Sequence, residues 1–138
     1  MIFIIGGRSQ GKTDYVLKNY PSAEICDGAD MGIAELENIA CIDNFHLLIK
    51  RIMAEGGSEA ALAVSKKIYE QNPDIIIIST EIGGGIVPME KSERLWREAV
   101  GRSCCYIAAH SEKVIRMVCG IPTVIKAVSY THLRAHET

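Results

Sequence analysis

A glycine-rich stretch near the start of the chain has the residue types and spacing of a phosphate-binding loop. The pattern G-x-x-x-x-G-K-[ST] is satisfied by Gly6-Gly7-Arg8-Ser9-Gln10-Gly11-Lys12-Thr13. In such a loop, glycines let backbone N–H groups converge on phosphate oxygens at the amino end of a helix, where the helix dipole favours an anion. Lys12 would then contact the β- and γ-phosphates of ATP or GTP, and the Thr13 hydroxyl would ligate Mg²⁺. The alternative interpretation is a glycine turn with a surface lysine.

Two carboxylates follow apolar segments and suit chemistry on a bound phosphate. Asp43 and Glu81 each stand at the end of a predicted strand, where a carboxylate can hold the Mg²⁺ shell or orient an attacking hydroxyl. For Asp43 the rival interpretation is the N-cap of a helix beginning at Asn44. Glu81 lies between a four-isoleucine segment and three glycines, at the carboxyl edge of the predicted sheet, where ligands of open α/β folds bind. The candidate catalytic residues are therefore Lys12, Asp43 and Glu81, and the candidate Mg²⁺ ligands are Thr13 and Asp43.

Strands and helices are predicted to alternate around these residues. The predicted strands are Ile2–Ile5, Ile39–Ile42, Asp74–Thr80 and Val114–Cys119, with a short extended segment at Thr123–Lys126. The predicted helices are Lys12–Tyr20, a short one around Ile33–Asn38, one from Asn44 to the glycine pair Gly56-Gly57, one from Ser58 to Asn72, and one from about Glu90 to Glu112. Cys26–Gly32 is predicted to be a connection. The pattern favours an α/β fold of the P-loop nucleoside-triphosphate hydrolase type, a mostly parallel sheet flanked by helices.

Composition and charge exclude several functional classes. The 138 residues are 48% apolar and 23% charged, which suits one ordinary core, and the formal charge of −2 argues against nucleic acid as a partner. The longest apolar runs are too short to span a membrane and the start of the chain lacks a signal-peptide layout, so we expect a cytoplasmic protein. The five cysteines include no C-x-x-C pair, so we expect reduced thiols rather than disulfides or a zinc site.

The final eleven residues do not fit the rest of the pattern. Val128–Thr138 is polar, has no apolar face of helical or strand period, and resembles translated sequencing-adapter read-through. We therefore expect a single P-loop domain over residues 1–127 and a non-native tail over residues 128–138. The four-residue spacing of His132 and His136 is accordingly not interpreted as a metal site.

A second motif resembles the signature of one enzyme family. Thr80–Pro88, continued by Arg94, Arg97-Glu98 and Gly101-Arg102, is similar to the E-[VI]-G-x-G-I-V-P…R-x-x-R-[DE]-x-x-G-R signature of the adenosylcobinamide kinase/adenosylcobinamide-phosphate guanylyltransferase family. The family also opens with G-G-x-x-S-G-K-S and closes with a G-I-x-x-x-I-K segment like Gly120–Lys126. The resemblance implies a P-loop fold, a homotrimer, and phosphorylation of the aminopropanol hydroxyl of adenosylcobinamide in cobalamin synthesis and salvage.

The resemblance also suggests residues that contact the corrinoid substrate. Glu81, Gly83 and Gly85 belong to the matching loop, and Arg94 and Arg97 share a helix face behind it. The arginines would bind phosphate or the corrinoid, or close an oligomer interface; the alternative is a solvated surface.

Two departures from the family pattern concern its second reaction, in which many members form a covalent guanylyl intermediate on a histidine and transfer GMP. The family's guanylylated histidine lies in an insertion that this chain lacks, and Cys104-Cys105 replaces an Asn-Gln pair. His46 replaces a threonine elsewhere in the pattern. It is either a hydrogen-bonding or substrate-contact residue near the phosphates, or a partly exposed helix residue. We therefore expect the kinase step and no covalent guanylyl intermediate.

Two other functions are compatible with the same motifs. One is a nucleotide-binding module that has lost catalysis and acts as a regulatory or oligomer-forming partner. The other is a P-loop kinase that phosphorylates a different small alcohol. A corrinoid-stimulated rate of ATP consumption would exclude the module.

Overall fold

A computed structural model describes residues 1–8, 10–33, 36–82 and 90–128. Within these residues, one sheet of six strands carries three helices and one short 3₁₀ turn, Leu36–Asn38. The strands are β1 (Ile2–Gly6), β2 (Ile25–Asp27), β3 (Cys41–Asp43), β4 (Ile76–Thr80), β5 (Lys113–Val118) and β6 (Ile121–Ala127), and the helices are α1 (Lys12–Asn19), α2 (Phe45–Gln71) and α3 (Lys91–His110).

The sheet has the strand order β2-β3-β4-β1-β5-β6, and every neighbouring pair is parallel except β5 and β6. β1 lies inside the sheet, with Ile4 in register with Ile78 of β4 and Ile115 of β5. Because β1, β3 and β4 run parallel, their carboxyl ends share one edge, which brings Gly6, Asp43 and Thr80 to the same side of the molecule. The predicted α/β fold with a mostly parallel sheet is confirmed.

Burial on both faces explains why the central strands are apolar throughout. Phe3 and Ile77 face one side of the sheet and belong to a core cluster with residues of α2 and α3. Ile4 and Ile78 face the other side and pack with Val16 of α1. Strands covered on both faces cannot alternate between apolar and polar residues, so the isoleucine run of β4 follows directly from its central position.

Helix α2 changes direction at Gly57. This residue has φ 75° and ψ −171°, outside the helical region, so two helical arms meet there. The position favours glycine because side chains rarely adopt such a positive φ. The break predicted at the glycine pair is confirmed, and both arms carry buried residues, such as Ile49 before it and Ile68 after it.

Two elements differ from the sequence-based expectations, and a third is extended as expected but longer. The stretch interpreted as a connection from Cys26 begins with the end of a strand, β2, whose three residues are too few to show a period. The short helix around Ile33–Asn38 is a single 3₁₀ turn. The extended segment Thr123–Lys126 is the middle of β6, which pairs antiparallel with β5.

The hairpin turn between β5 and β6 contacts the glycine-rich loop. Cys119 and Gly120 both have positive φ, 49° and 75°, as a two-residue type I′ turn requires. The Cys119 N–H donates to the Gln10 side-chain oxygen at 2.5 Å, and the Gly120 N–H donates to the Gln10 backbone oxygen at 3.0 Å. The hairpin therefore supports the loop from the side opposite β4.

Among the described residues, none of the helices combines the length and the apolar character that a membrane crossing requires. Val128, the last described residue, donates its backbone N–H to Glu112 O at 2.8 Å. The rest of the segment expected to be non-native lies outside the described residues.

Two glycine substitutions should change stability in opposite directions. Gly101→Ala should raise the free energy of unfolding by about 1 kcal/mol, because glycine inside an exposed helix is that much less favourable than alanine and an added Cβ meets no atom within 4 Å. Gly6→Ala should lower it, because its Cβ would lie 2.6 Å from the Met117 carbonyl oxygen on β5. Urea unfolding followed by circular dichroism measures both. An unchanged or lower midpoint for Gly101→Ala would contradict the first expectation.

Candidate functional site

The glycine-rich loop joins β1 to α1 and folds Lys12 back onto its own backbone. Lys12 is the first residue of α1 and only 8% exposed. Its Nζ donates to Gly6 O at 3.2 Å and to Gly7 O at 2.6 Å. Gly11, with φ 89°, immediately precedes the helix. The ammonium group is therefore held at the amino end of α1, the position where the backbone itself favours an anion.

Burial and nearby carboxylates have opposite effects on the pKa of Lys12. Burial lowers the pKa of Lys12, whereas the carboxylates of Asp43 and Glu81 raise it. A polyanion bound at the loop would favour the charged ammonium in the same sense as the two carboxylates do. A negatively charged ligand would therefore oppose the effect of burial on this group.

Asp43 connects the end of β3 to the start of α1. Its Oδ2 accepts a hydrogen bond from Thr13 Oγ1 at 3.1 Å, and its Oδ1 accepts one from the Asn44 N–H at 2.7 Å. Asp43 Oδ2 belongs to β3 and Thr13 Oγ1 belongs to α1. Both are oxygen donors of the hard type that Mg²⁺ prefers. The structure therefore brings together the two residues that the sequence analysis assigned to the metal.

The edge strand β2 holds the backbone that follows Asp43. Asn44 has φ 54°, and its side-chain amide donates to Asp27 Oδ1 at 3.0 Å. The Gly28 N–H donates to Asp43 O at 2.7 Å. A Cβ at Gly28 would lie 2.6 Å from Asn44 O, so glycine is what allows this close approach. Hydrogen bonds from the Ala29 N–H and the Asn44 amide lower the pKa of Asp27, which keeps it an acceptor.

A cleft of about 610 Å³ opens above the loop. One wall comes from the loop and α1, with the side chains of Arg8, Gln10, Lys12, Thr13 and Asp14. The opposite wall includes His46, Lys50 and Trp96. This volume is typical of small-molecule sites.

Hydrogen bonds fix the wall that faces the loop. His46 is 8% exposed; its Nδ1 accepts the Thr80 N–H at 3.4 Å, and its backbone oxygen accepts the Trp96 indole N–H at 3.0 Å. The Lys50 ammonium lies 4.8 Å from the centre of the Trp96 ring, within the range of a cation–π contact. His46 thus has a hydrogen-bonding role at the cleft. Trp96 could not be recognised from the sequence as a site residue, because its helical spacing does not tell which element it faces.

Glu81 lies beside the loop but does not line this cleft. Its backbone N–H donates to Gly6 O at 2.8 Å, and its carboxylate pairs with Arg116 of β5 at 2.9 and 3.3 Å. It lines a neighbouring cavity of about 480 Å³ together with Gly7 and Cys104. The sequence analysis did not single out Arg116, because its partner is apparent only once β5 is placed next to β1.

The remaining predicted residues are not brought into the cleft by the part of the chain that the structure describes. Arg94 is exposed on α3, and Arg97 Nε lies 3.9 Å from Glu93 Oε1. Neither arginine lines the cleft. Among the described residues of α3, Trp96 is the one that does. Ser9, Gly83 and Gly85 lie outside the described residues, and their assignments stay predictions.

The adjacent cysteines on α3 differ in environment. Cys104 Sγ lies 3.9 Å from Ser79 Oγ, and burial raises its pKa to about 11. Cys105 is exposed. Neighbouring helix side chains point in different directions, as expected for packing rather than for a redox pair.

A family model described as cobinamide kinase / cobinamide phosphate guanyltransferase matches residues 27–125, well over half of the chain. The chain belongs to this family. The resemblance drawn from the motifs is confirmed, and with it a nucleotide-dependent transferase of cobalamin biosynthesis. The match includes Asp43, His46 and Trp96 and begins after the glycine-rich loop. A comparison with curated proteins finds no match.

The environment of His46 predicts a pH dependence of stability. Burial lowers the pKa of His46, the charges of Lys12 and Arg8 act in the same direction, and Asp43 opposes them. Since the unfolded chain then binds the proton more readily, stability should fall as the pH decreases below the ordinary histidine pKa of about 6.5. His46→Asn, which keeps a hydrogen-bond acceptor, should weaken this fall between about pH 7 and pH 5.

The measurement is urea unfolding at several pH values. His110→Asn, which removes an exposed histidine at the end of α3, is the matched control for the loss of a histidine. Parallel profiles for wild type and His46→Asn would contradict the expectation.

Proposed function

We propose that the chain transfers the γ-phosphoryl group of ATP or GTP, with Mg²⁺, to the aminopropanol hydroxyl of adenosylcobinamide. The observation that carries the proposal is the hydrogen bond of 3.1 Å between Thr13 and Asp43, with the Lys12 ammonium held in the same cleft. Family membership supplies the corrinoid as acceptor. The experiments below test the phosphoryl-transfer step and the guanylyl step separately.

Lys12 binds the donor phosphates in this proposal. An ammonium group has three hydrogen-bond donors, and the two contacts with Gly6 O and Gly7 O leave one for a phosphate oxygen. Those carbonyls fix the position of Nζ before the nucleotide arrives. Arg8 lines the same cleft and adds a second cation. Both charges then act on a transferred group whose negative charge lies on its peripheral oxygens.

Thr13 and Asp43 fit a magnesium site by the chemistry of their donors. Both offer oxygen atoms, and Mg²⁺ favours oxygen ligands shared with substrate phosphates. Bound between them, Mg²⁺ would supply neutralisation of the phosphate charge. The Asn44 N–H holds one oxygen of Asp43, so the other is directed at Thr13.

The transfer forms one bond and breaks one. The acceptor oxygen bonds to the γ-phosphorus, the bond to the β–γ bridging oxygen breaks, and the nucleoside diphosphate leaves with the bond electrons. The hydroxyl proton is released to water in the cleft, because one oxygen of Asp43 accepts the Asn44 N–H and the other is directed at Thr13 and the metal. His46 is not the base here, because a neutral ring that accepts the Thr80 N–H at Nδ1 carries its own proton on Nε2. Positioning and charge neutralisation therefore contribute more than base strength.

Replacing Lys12 with alanine tests the proposed cradle. Lys12→Ala should abolish phosphorylation of adenosylcobinamide while the circular dichroism spectrum stays that of the wild type, because the lysine contributes charge rather than core packing. Lys18→Ala removes an exposed lysine from the same helix and should keep wild-type activity. The assay measures labelled phosphate in the corrinoid, together with nucleotide consumption with and without it. Phosphorylation of the corrinoid by Lys12→Ala would contradict the proposal. Nucleotide consumption by the wild type at the same rate with and without the corrinoid would contradict it too.

The guanylyl step is proposed to be absent. Among the described residues, His46 is the histidine that lines the cleft, and its Nδ1 is already hydrogen-bonded to the backbone of β4. Incubation with GTP labelled at the α-phosphate, followed by a denaturing gel, should leave the protein unlabelled. Label on the wild type that is lost in His46→Asn would show instead that this histidine forms a guanylyl intermediate.

A further inference from the structure

An apolar groove of about 440 Å³ adjoins the cleft above the glycine-rich loop. We call it the α2–α3 groove, because it lies between the bend of α2 and the first turns of α3. The apolar residues that line it include Met53, Ala54 and Leu95. Leu95 is 38% exposed, although leucine is usually buried. The groove therefore offers an open apolar surface beside the proposed site of chemistry.

Lys50 and Trp96 connect the groove to the cleft. Both residues line both cavities. The indole is fixed by its hydrogen bond to His46 O, and the Lys50 ammonium lies against its ring. A ligand that reaches out of the cleft on this side must therefore lie along Trp96. The bend at Gly57 forms the far end of the groove. A Cβ added at Gly57 would meet no atom within 4 Å.

The charges along the groove argue against the donor phosphates as its occupant. Glu90 and Glu93 line it against one cation, Lys50, whose ammonium lies over the Trp96 ring, and carboxylates repel a triphosphate. Ser58, Ser92 and Glu90 offer hydrogen-bonding groups beside the apolar wall. This combination suits an uncharged ligand edge that carries both methyl groups and carboxamides.

We propose that the α2–α3 groove binds the edge of the acceptor corrinoid, with Trp96 as the surface on which that edge rests. The inference rests on the proposed function, which supplies a corrinoid acceptor rich in methyl and carboxamide groups. In-line transfer places the acceptor across the cleft from the donor, and the groove opens from the wall opposite the loop. A site of this volume holds a drug-sized ligand, so it takes one edge of the macrocycle and leaves the rest outside.

An arginine placed in the groove tests this assignment. Ala54 is exposed and lines the groove, whereas Ala63 is exposed on the second arm of α2 and lines none of the cavities described above. Ala54→Arg should weaken cobinamide binding at least about 10-fold, because the side chain fills the groove and leaves no room for the corrinoid edge. Ala63→Arg introduces the same charge and should bind like the wild type. Equilibrium dialysis without nucleotide, read by the visible absorbance of cobinamide, gives the Kd.

A second pair of variants keeps the test informative if Ala54→Arg does not fold. Leu95→Ala removes apolar surface from the groove and should also raise the Kd for cobinamide, while Leu17→Ala removes an exposed leucine from α1 and should not. In both groove variants the KM for the nucleotide should stay within about twofold of the wild type.

The outcomes separate this inference from the proposed function. Wild-type cobinamide affinity in both groove variants would overturn the groove assignment while leaving phosphoryl transfer intact. A nucleotide KM that rises as much as the Kd for cobinamide would overturn it too, since the groove would then hold the nucleotide. Cobinamide that binds in the groove but is never phosphorylated would support the assignment and contradict the proposed function. Failure of the wild type to bind cobinamide would contradict both.

Discussion

The site depends on one constraint, a lysine side chain that is largely buried at the start of α1. Burial disfavours its charge, so the surrounding backbone and carboxylates must compensate. The carbonyl oxygens of Gly6 and Gly7 do so directly, and they can because β1 ends at that point inside the sheet. Asp43 compensates from β3, which requires that β3 and β1 run in the same direction and end at the same edge. The Lys12 ammonium can therefore occupy this position only because the strands β1 and β3 are parallel.

Much of this arrangement could be predicted because its determinants are local. The glycine spacing before Lys12 indicates the loop without reference to any other part of the chain, and the isoleucine run of β4 indicates a strand buried on both faces. Asp43 could be assigned because parallel strands bring their carboxyl ends together. In each of these cases the short segment itself carries the information, and the topology only has to bring the segments together.

The residues that could not be predicted owe their roles to packing between distant elements. Trp96 is a cleft residue because its helix lies against the first turn of α2, where it finds a carbonyl acceptor. Glu81 follows β4 at the carboxyl edge of the sheet, as expected, but Arg116 on β5 binds its carboxylate at the side of the loop. β2 has three residues and takes its place from pairing with β3. None of these partners is near in sequence, so no local pattern indicates them.

The contact between the β5–β6 turn and Gln10 has a consequence for the order of folding. Gln10 accepts hydrogen bonds from residues 119 and 120, so the loop near the start of the chain is completed by a hairpin more than a hundred residues away. Contacts of such wide sequence separation form late, since the intervening chain must lose its freedom first. During synthesis the amino-terminal segment leaves the ribosome well before the hairpin exists. The glycine-rich loop, although among the first segments made, thus acquires its full set of supports only after the β5–β6 hairpin has been synthesised.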